Sequence, residues 1–222
     1  MQASAPAYGI IGTLRRVDKS LFDTLFPNAH TGHRILASVL LIALIFVCAK
    51  ARFYLPENPT PITLQTFGVL LTGGVMGWRW GTGAVLGYIA LGAFGLPMFA
   101  SSDPWAFRTP AEAWNATIIG VTGGYIIGFL VASAVTGFLS QAGFTHSSSL
   151  WAIALGGLAL YIPALIWLSV FDFGWPSEGK LFVDGMYIYM PGDIVKMLGA
   201  SLVVTGLWNH GERLKKLFQR KS

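Results

Sequence analysis

Charge is what this sequence has least of. Asp, Glu, Lys and Arg make up 11% of the 222 residues, against about 25% in an ordinary soluble domain. With 54% hydrophobic residues and a mean hydropathy of +0.59, the scarcity excludes a soluble globular chain and points to lipid as the solvent. Cysteine is nearly absent as well. The single Cys48 lies inside an apolar run, which rules out an intramolecular disulfide and leaves the redox compartment open. The chain carries no G-x-x-x-x-G-K-[ST], H-E-x-x-H or G-x-S-x-G motif and no Cys/His cluster, so P-loop ATP hydrolysis, zincin chemistry and a nucleophile elbow have no residues to perform them. The four histidines, His30, His33, His146 and His210, fall at membrane edges or tails and read as interfacial residues rather than ligands. No cofactor and no metal is expected. A cleavable leader is not evident either: the first apolar patch, Tyr8 to Leu14, is short and runs into Arg15-Arg16.

What the sequence does have is long apolar runs. They predict membrane helices over 35–50, 62–76, 82–99, 116–139, 150–171 and 191–208, near the ~20 residues needed to cross a bilayer once tilt is allowed. The organisation expected is an N-terminal arm over 1–33, a membrane domain over 34–210 and a basic tail over 211–222. Leu21, Phe22, Leu25 and Phe26 recur in the arm at helical spacing, and either pack as an amphipathic patch on the membrane surface or belong to an unpacked arm. Pro56, Pro59 and Pro61 keep the first connection extended, Gly77-Trp78-Arg79-Trp80-Gly81 makes a tight turn between the second and third spans, and Pro163 kinks the fifth. Gly120, Gly124 and Gly128, followed by Ala132, form a small-residue ridge that lets another helix approach.

The positive charges orient these spans. With both termini cytoplasmic, the inner segments hold Arg15, Arg16, Lys19, Arg34, Arg79 and the basic tail, ten Lys and Arg in all, against four in the outer loops. The net charge of +5 is therefore placed for lipid headgroups, not for nucleic acid. The fold expected is an all-α integral membrane protein, a six-transmembrane-helix bundle, multi-pass in the cell (inner) membrane.

Against that apolar background, Pro191-Gly192-Asp193-Ile194-Val195-Lys196 stands out. Proline suits a helix start, Asp193 lies in the first turn where the helix dipole favours an anion, and Lys196 follows on the same face. An ion pair that only tidies the helix start is the plain reading. However, a charge within a span costs roughly 2.5–3.5 kcal/mol, so such residues usually face a cavity and serve a function. Thr63, Gln65, Thr66, Tyr88, Thr122, Tyr125 and Tyr161 are the other polar groups in or beside the spans, most of them toward the outer face. They describe a small polar pocket in a dry bundle, although for Thr63, Gln65 and Tyr125 helix-to-helix hydrogen bonding is an equal reading. An acceptor-only carboxylate beside a donor-only ammonium suits a ligand with both N–H and C=O, such as a cyclic urea or amide.

Four blocks then resemble one family. Pro59-Thr60-Pro61-Ile62-Thr63-Leu64-Gln65-Thr66, Gly92-Ala93-Phe94-Gly95-Leu96-Pro97-Met98-Phe99-Ala100, Thr122-Gly123-Gly124-Tyr125-Ile126-Ile127-Gly128-Phe129 and Pro191-Gly192-Asp193 with Lys196 are similar, in order, to blocks of the BioY family, the biotin-binding S components of energy-coupling-factor (ECF) transporters. The resemblance implies an S-component bundle that captures biotin from outside, with no catalysis. Partner ATPases acting through a transmembrane coupling protein would drive uptake, or the chain would act slowly alone. It assigns Asp193 and Lys196 to the ligand's fused rings, places a lid near 56–61, and puts an asparagine from the 101–116 loop in the pocket, for which Asn115 is the candidate. Tyr88, Tyr125 and Trp114 are candidates for the ring sulfur and alkyl chain, and Thr63 and Gln65 for polar contacts. The first helix departs from the family's A-x-x-x-A docking pattern, since Ala37, Ala43 and Ala49 are six apart. The alternatives are an S component for another heterocyclic vitamin, an intramembrane enzyme using Asp193, and a structural subunit whose glycine ridge serves assembly.

Overall fold

The computed structural model describes residues 19–56, 58–100, 103, 105–145 and 148–219, of which 212–219 by backbone only. Residues 1–18 of the expected arm and the end of the basic tail lie outside the described residues.

The first helix, α1 (Leu21–Leu25), is set by Ser20, whose hydroxyl accepts from the backbone N–H of Asp23 while the Asp23 carboxylate turns back to Ser20. This reciprocal capping satisfies N–H groups that a helix start leaves unpaired. Leu21 and Phe22 are buried against the bundle, whereas Phe26 is exposed, so the arm's apolar face meets protein. Arg34 at the start of α2 (Thr31–Lys50) donates to Asp23 at 2.9 Å and ties the two helices together. Helix α2 begins four residues before the predicted span and lies on the periphery, with Leu36, Val39, Leu40 and Val47 facing outward.

Strands β1 (Arg52–Phe53) and β2 (Ile62–Thr63) pair antiparallel, Arg52 opposite Thr63 and Phe53 opposite Ile62. This ladder corrects the all-α expectation: the protein is mostly helical, with one short two-stranded clasp. Its effect is to pinch off the proline-bearing loop and bring residues 60–63 back over the bundle.

Helix α3 (Gln65–Ala93) is two antiparallel arms. Gln65 and Tyr88 lie 23 residues apart and hydrogen-bond at 2.7 Å; along a straight helix they would be roughly 35 Å apart at 1.5 Å per residue. The reversal falls on Gly77, at φ 76° and ψ 179°. A side chain there is disfavoured twice, by the left-handed φ and because a Cβ would lie 2.5 Å from the Gln141 side chain. The predicted second and third spans are thus the arms 65–76 and 78–93, joined by one non-helical residue.

Thr109 caps α4 (Pro110–Ala113), with Pro110 in its first turn. The exposed Glu112 carboxyl is held below its usual value by the backbone N–H and then the hydroxyl of Thr109. A π-helical turn (Trp114–Ile118) follows, then α5 (Gly123–Leu139) and a second π turn (Ser140–Phe144). Helices α6 (Leu150–Ala159) and α7 (Tyr161–Val170) form one rod, interrupted at Leu160. Pro163, lacking the N–H that would reach Ala159, accounts for the interruption. A third π turn (Val183–Tyr187) leads into α8 (Met190–Gln219).

Two glycines of the expected ridge, Gly124 and Gly128, do what their spacing predicts, whereas Gly120 lies in the bend before α5 begins. A Cβ on Gly124 would sit 2.4 Å from Cβ of Trp167, and one on Gly128 would sit 2.4 Å from the Leu160 carbonyl oxygen, so α5 and the α6–α7 rod touch backbone to backbone at the proline break. Tyr88, Val69, Leu70, Val85, Ile153 and Val204 fill the core behind them. Among the described residues, four helical stretches, 31–50, 123–144, 150–170 and 183–211, are long and apolar enough to cross a membrane. Each arm of α3 is shorter than the ~17–25 residues a lone span needs.

Candidate functional site

Helices α3, α5 and α8 all begin at one end of the bundle, and their first turns enclose a cavity of about 640 Å³, counting its mouth. The returning strand supplies Thr60, Pro61, Ile62 and Thr63; α3 adds Gln65 and Thr66; α5 adds Tyr125, Ile126 and Phe129; α8 adds Asp193 and Lys196. Phe99, Thr117, Thr122, Leu160, Tyr161 and Tyr189 complete the wall.

The charged pair lines its α8 side. Asp193 is 4% exposed, and its Oδ1 accepts from Lys196 Nζ at 2.6 Å. Its other oxygen, Oδ2, accepts the hydroxyl of Tyr161. A buried carboxylate survives only if paired and hydrogen-bonded, and here both oxygens are engaged. Capacity is left over: a carboxylate offers about four lone-pair sites and an ammonium three N–H donors. A ligand can therefore bond to both groups without parting them. Asp193 is also the only carboxylate among the residues lining the cavity.

Three tyrosines form the aromatic side. Tyr125 meets Tyr161 edge-on at 6.5 Å between centroids and Tyr189 at 5.8 Å, the tilted arrangement aromatic pairs prefer. The Tyr125 hydroxyl donates to the Gly185 carbonyl at 2.6 Å, which fixes the ring and attaches the third π turn to α5. Across the cavity, Asn58 Nδ2 and the Tyr189 hydroxyl lie 2.9 Å apart, Tyr189 is 3.0 Å from Asn58 Oδ1, and that same oxygen accepts from the Thr60 N–H at 2.9 Å. The proline-rich loop is thereby strapped to the residue four positions before Asp193.

Of the residues singled out in the sequence, the structure brings Asp193, Lys196, Tyr125, Gln65 and Thr63 together around one hollow. Thr63 donates to Gln65 Oε1 at 3.0 Å. Tyr88 stands one layer behind: it is fully buried, takes the Gln65 amide at 2.7 Å and donates to the Met98 carbonyl at 2.7 Å. Trp114 and Asn115 are exposed on the first π turn and do not line the hollow. Tyr189, Asn58 and Thr60 were not singled out as site residues. Tyr189 had a signal, since a residue four before Asp193 shares its helical face.

This is the architecture of a helical, multi-pass membrane protein with a hollow sized for one small molecule near one end of its bundle. The comparisons narrow the class. The BioY family model matches residues 23–213, and the chain belongs to that family. It is 33% identical over 184 residues to the biotin transporter BioY of Thermotoga maritima, covering 83% of this chain and 96% of that one. It is 34% identical over 171 residues to a probable biotin transporter BioY of Pyrococcus horikoshii, covering 76% and 94%. Among solved structures, the S component for biotin from an ECF-type ABC transporter superimposes with a TM-score of 0.68 at 26% identity, over 81% of this chain and 93% of that chain.

Proposed function

We propose that this chain is a biotin-capturing S component, with no catalysis of its own, that receives the vitamin at the extracytoplasmic end of its bundle and hands it on through an ECF coupling protein and ATPase subunits. In this reading the six rods form one bundle in the cell membrane with both termini cytoplasmic, the two short arms of α3 running as a hairpin among the four longer spans. The ureido N–H groups of biotin donate to Asp193 and the ureido oxygen accepts from Lys196. Both are charge-assisted bonds, the stronger kind, in a setting with little water to compete. Tyr125, Tyr161, Tyr189 and Phe129 cover the sulfur ring and the alkyl chain.

The observation that carries this reading is the Asp193–Lys196 pair, which lines the cavity with little exposure yet keeps unused hydrogen-bonding sites on both groups. An intramembrane enzyme needs more than this, because two-carboxylate acid–base chemistry has one carboxylate here. The direct test is to purify the protein in detergent and measure equilibrium binding of labelled biotin. Saturable binding at nanomolar concentration is expected. Binding of a different heterocyclic vitamin in preference to biotin would move the assignment within the class, and no binding of either would defeat it.

A further inference from the structure

The reversal at Gly77 creates a second hollow, at the opposite end of α3 from the Gln65 end. Trp78 and Arg79 on the α3 side, Ala134, Val135 and Phe138 on the α5 side, and Gln141 of the second π turn line a groove of about 1340 Å³ counting its opening. It is held in shape rather than left by loose packing. Gln141 Oε1 accepts the Trp78 N–H at 3.0 Å, and Ser140 donates to the Gly74 carbonyl at 2.8 Å, so both sides of the helix break are tied to the second π turn. Trp78 and Phe138 are each 39% exposed. The Arg79 guanidinium lies over the Trp78 ring, 5.1 Å from its centroid, is exposed, and forms no ion pair among the described residues.

An apolar trough on a membrane bundle is filled by hydrocarbon, and an unpaired guanidinium at its rim attracts an anion. Tryptophan beside it is the residue that prefers the boundary between the two. One class of molecule joins a hydrocarbon chain to an anionic head. We propose that this groove is a binding site for an anionic phospholipid, its acyl chain along Val135 and Phe138 and its phosphate on Arg79.

The test is native mass spectrometry of the full-length protein from micelles doped with phosphatidylglycerol or phosphatidylcholine, for the natural protein, Arg79→Gln and Ala134→Phe, with biotin affinity as the check that each variant is folded. The natural protein should retain phosphatidylglycerol about fivefold better, the equivalent of ~1 kcal/mol for a basic residue at an anionic surface. Arg79→Gln should erase that preference, and Ala134→Phe, which fills the groove, should lower retention of both lipids. Inorganic phosphate should not displace the lipid. Equal retention of the two lipids by the natural protein overturns the proposal whatever the variants do, as does an undiminished preference in folded Arg79→Gln. Displacement by phosphate, or a groove occupied by a second copy of the chain, overturns it too.

Discussion

Replacing Lys196 by methionine separates what the buried pair does for the fold from what it does for the ligand. In the natural protein Asp193 is 4% exposed and has two partners, Lys196 and Tyr161. Removing Lys196 strands a carboxylate in a wall of apolar and hydroxyl groups, and breaking a buried pair from one side typically costs about 3–5 kcal/mol. The Tyr161 hydroxyl still donates, so a value near the lower end is expected. Adding Asp193→Asn removes the stranded charge while its amide oxygen can still accept from Tyr161. A paired neutral replacement is often close to neutral, so the double variant should recover most of the lost stability. Binding should behave in the opposite way. The single variant loses the donor to the ureido oxygen, about 1.5–3 kcal/mol for a bond to a charged group, or roughly tenfold to 150-fold in affinity. The double variant loses the carboxylate acceptor as well and should bind biotin more weakly still. The assays are thermal unfolding in micelles and equilibrium binding of labelled biotin on the same preparations. Stability returning while affinity falls further supports a ligand role for the pair. A double variant that binds biotin as tightly as the natural protein refutes it.

Three other outcomes follow from the same geometry. Tyr161→Phe removes the second donor to Asp193, about 1.5–3 kcal/mol for a bond to a charged group, and should lower the unfolding temperature, though less than Lys196→Met does, while titration calorimetry shows weaker biotin binding. Asn58→Ala cuts the strap to Tyr189, and at about 1 kcal/mol per neutral hydrogen bond the dissociation of labelled biotin in a chase experiment should quicken about fivefold or more. Gly124→Leu drives a side chain into Trp167 and Ala164, with a Cβ already 2.4 Å from Trp167 Cβ; overpacking of roughly 1–3 kcal/mol or more should lower the unfolding temperature and the yield of folded protein.

The legibility of this protein follows from which features are periodic. Asp193 and Lys196 could be paired from spacing because three residues along a helix always share a face, and the structure has them 2.6 Å apart. Gly124 and Gly128 could be read as a packing surface for the same reason, whereas Gly120 falls before α5 begins at Gly123. Trp114 and Asn115 lie where that logic fails. The chain there winds as a π-helical turn, and one extra residue per turn rotates the faces, so Thr117 and not its neighbours reaches the hollow. Tyr88 was recognisable as a polar group inside a span, but which side of a bundle a residue meets depends on the partner helix. Here the partner is the other arm of the same hairpin, and Gln65 stands in front of it. The hairpin was legible as a tight glycine-bounded turn; that one residue at positive φ makes the reversal was not, because helix propensity says nothing about a lone left-handed residue. The clasp of β1 and β2 was invisible, since two residues per strand carry no alternation to read.

The strap between Asn58 and Tyr189 has one mechanical outcome. Its far end is anchored on the stretch that enters α8, four residues ahead of the carboxylate on Asp193. A push or rotation applied to the start of that helix would pull on the proline-rich loop and on Asp193 together.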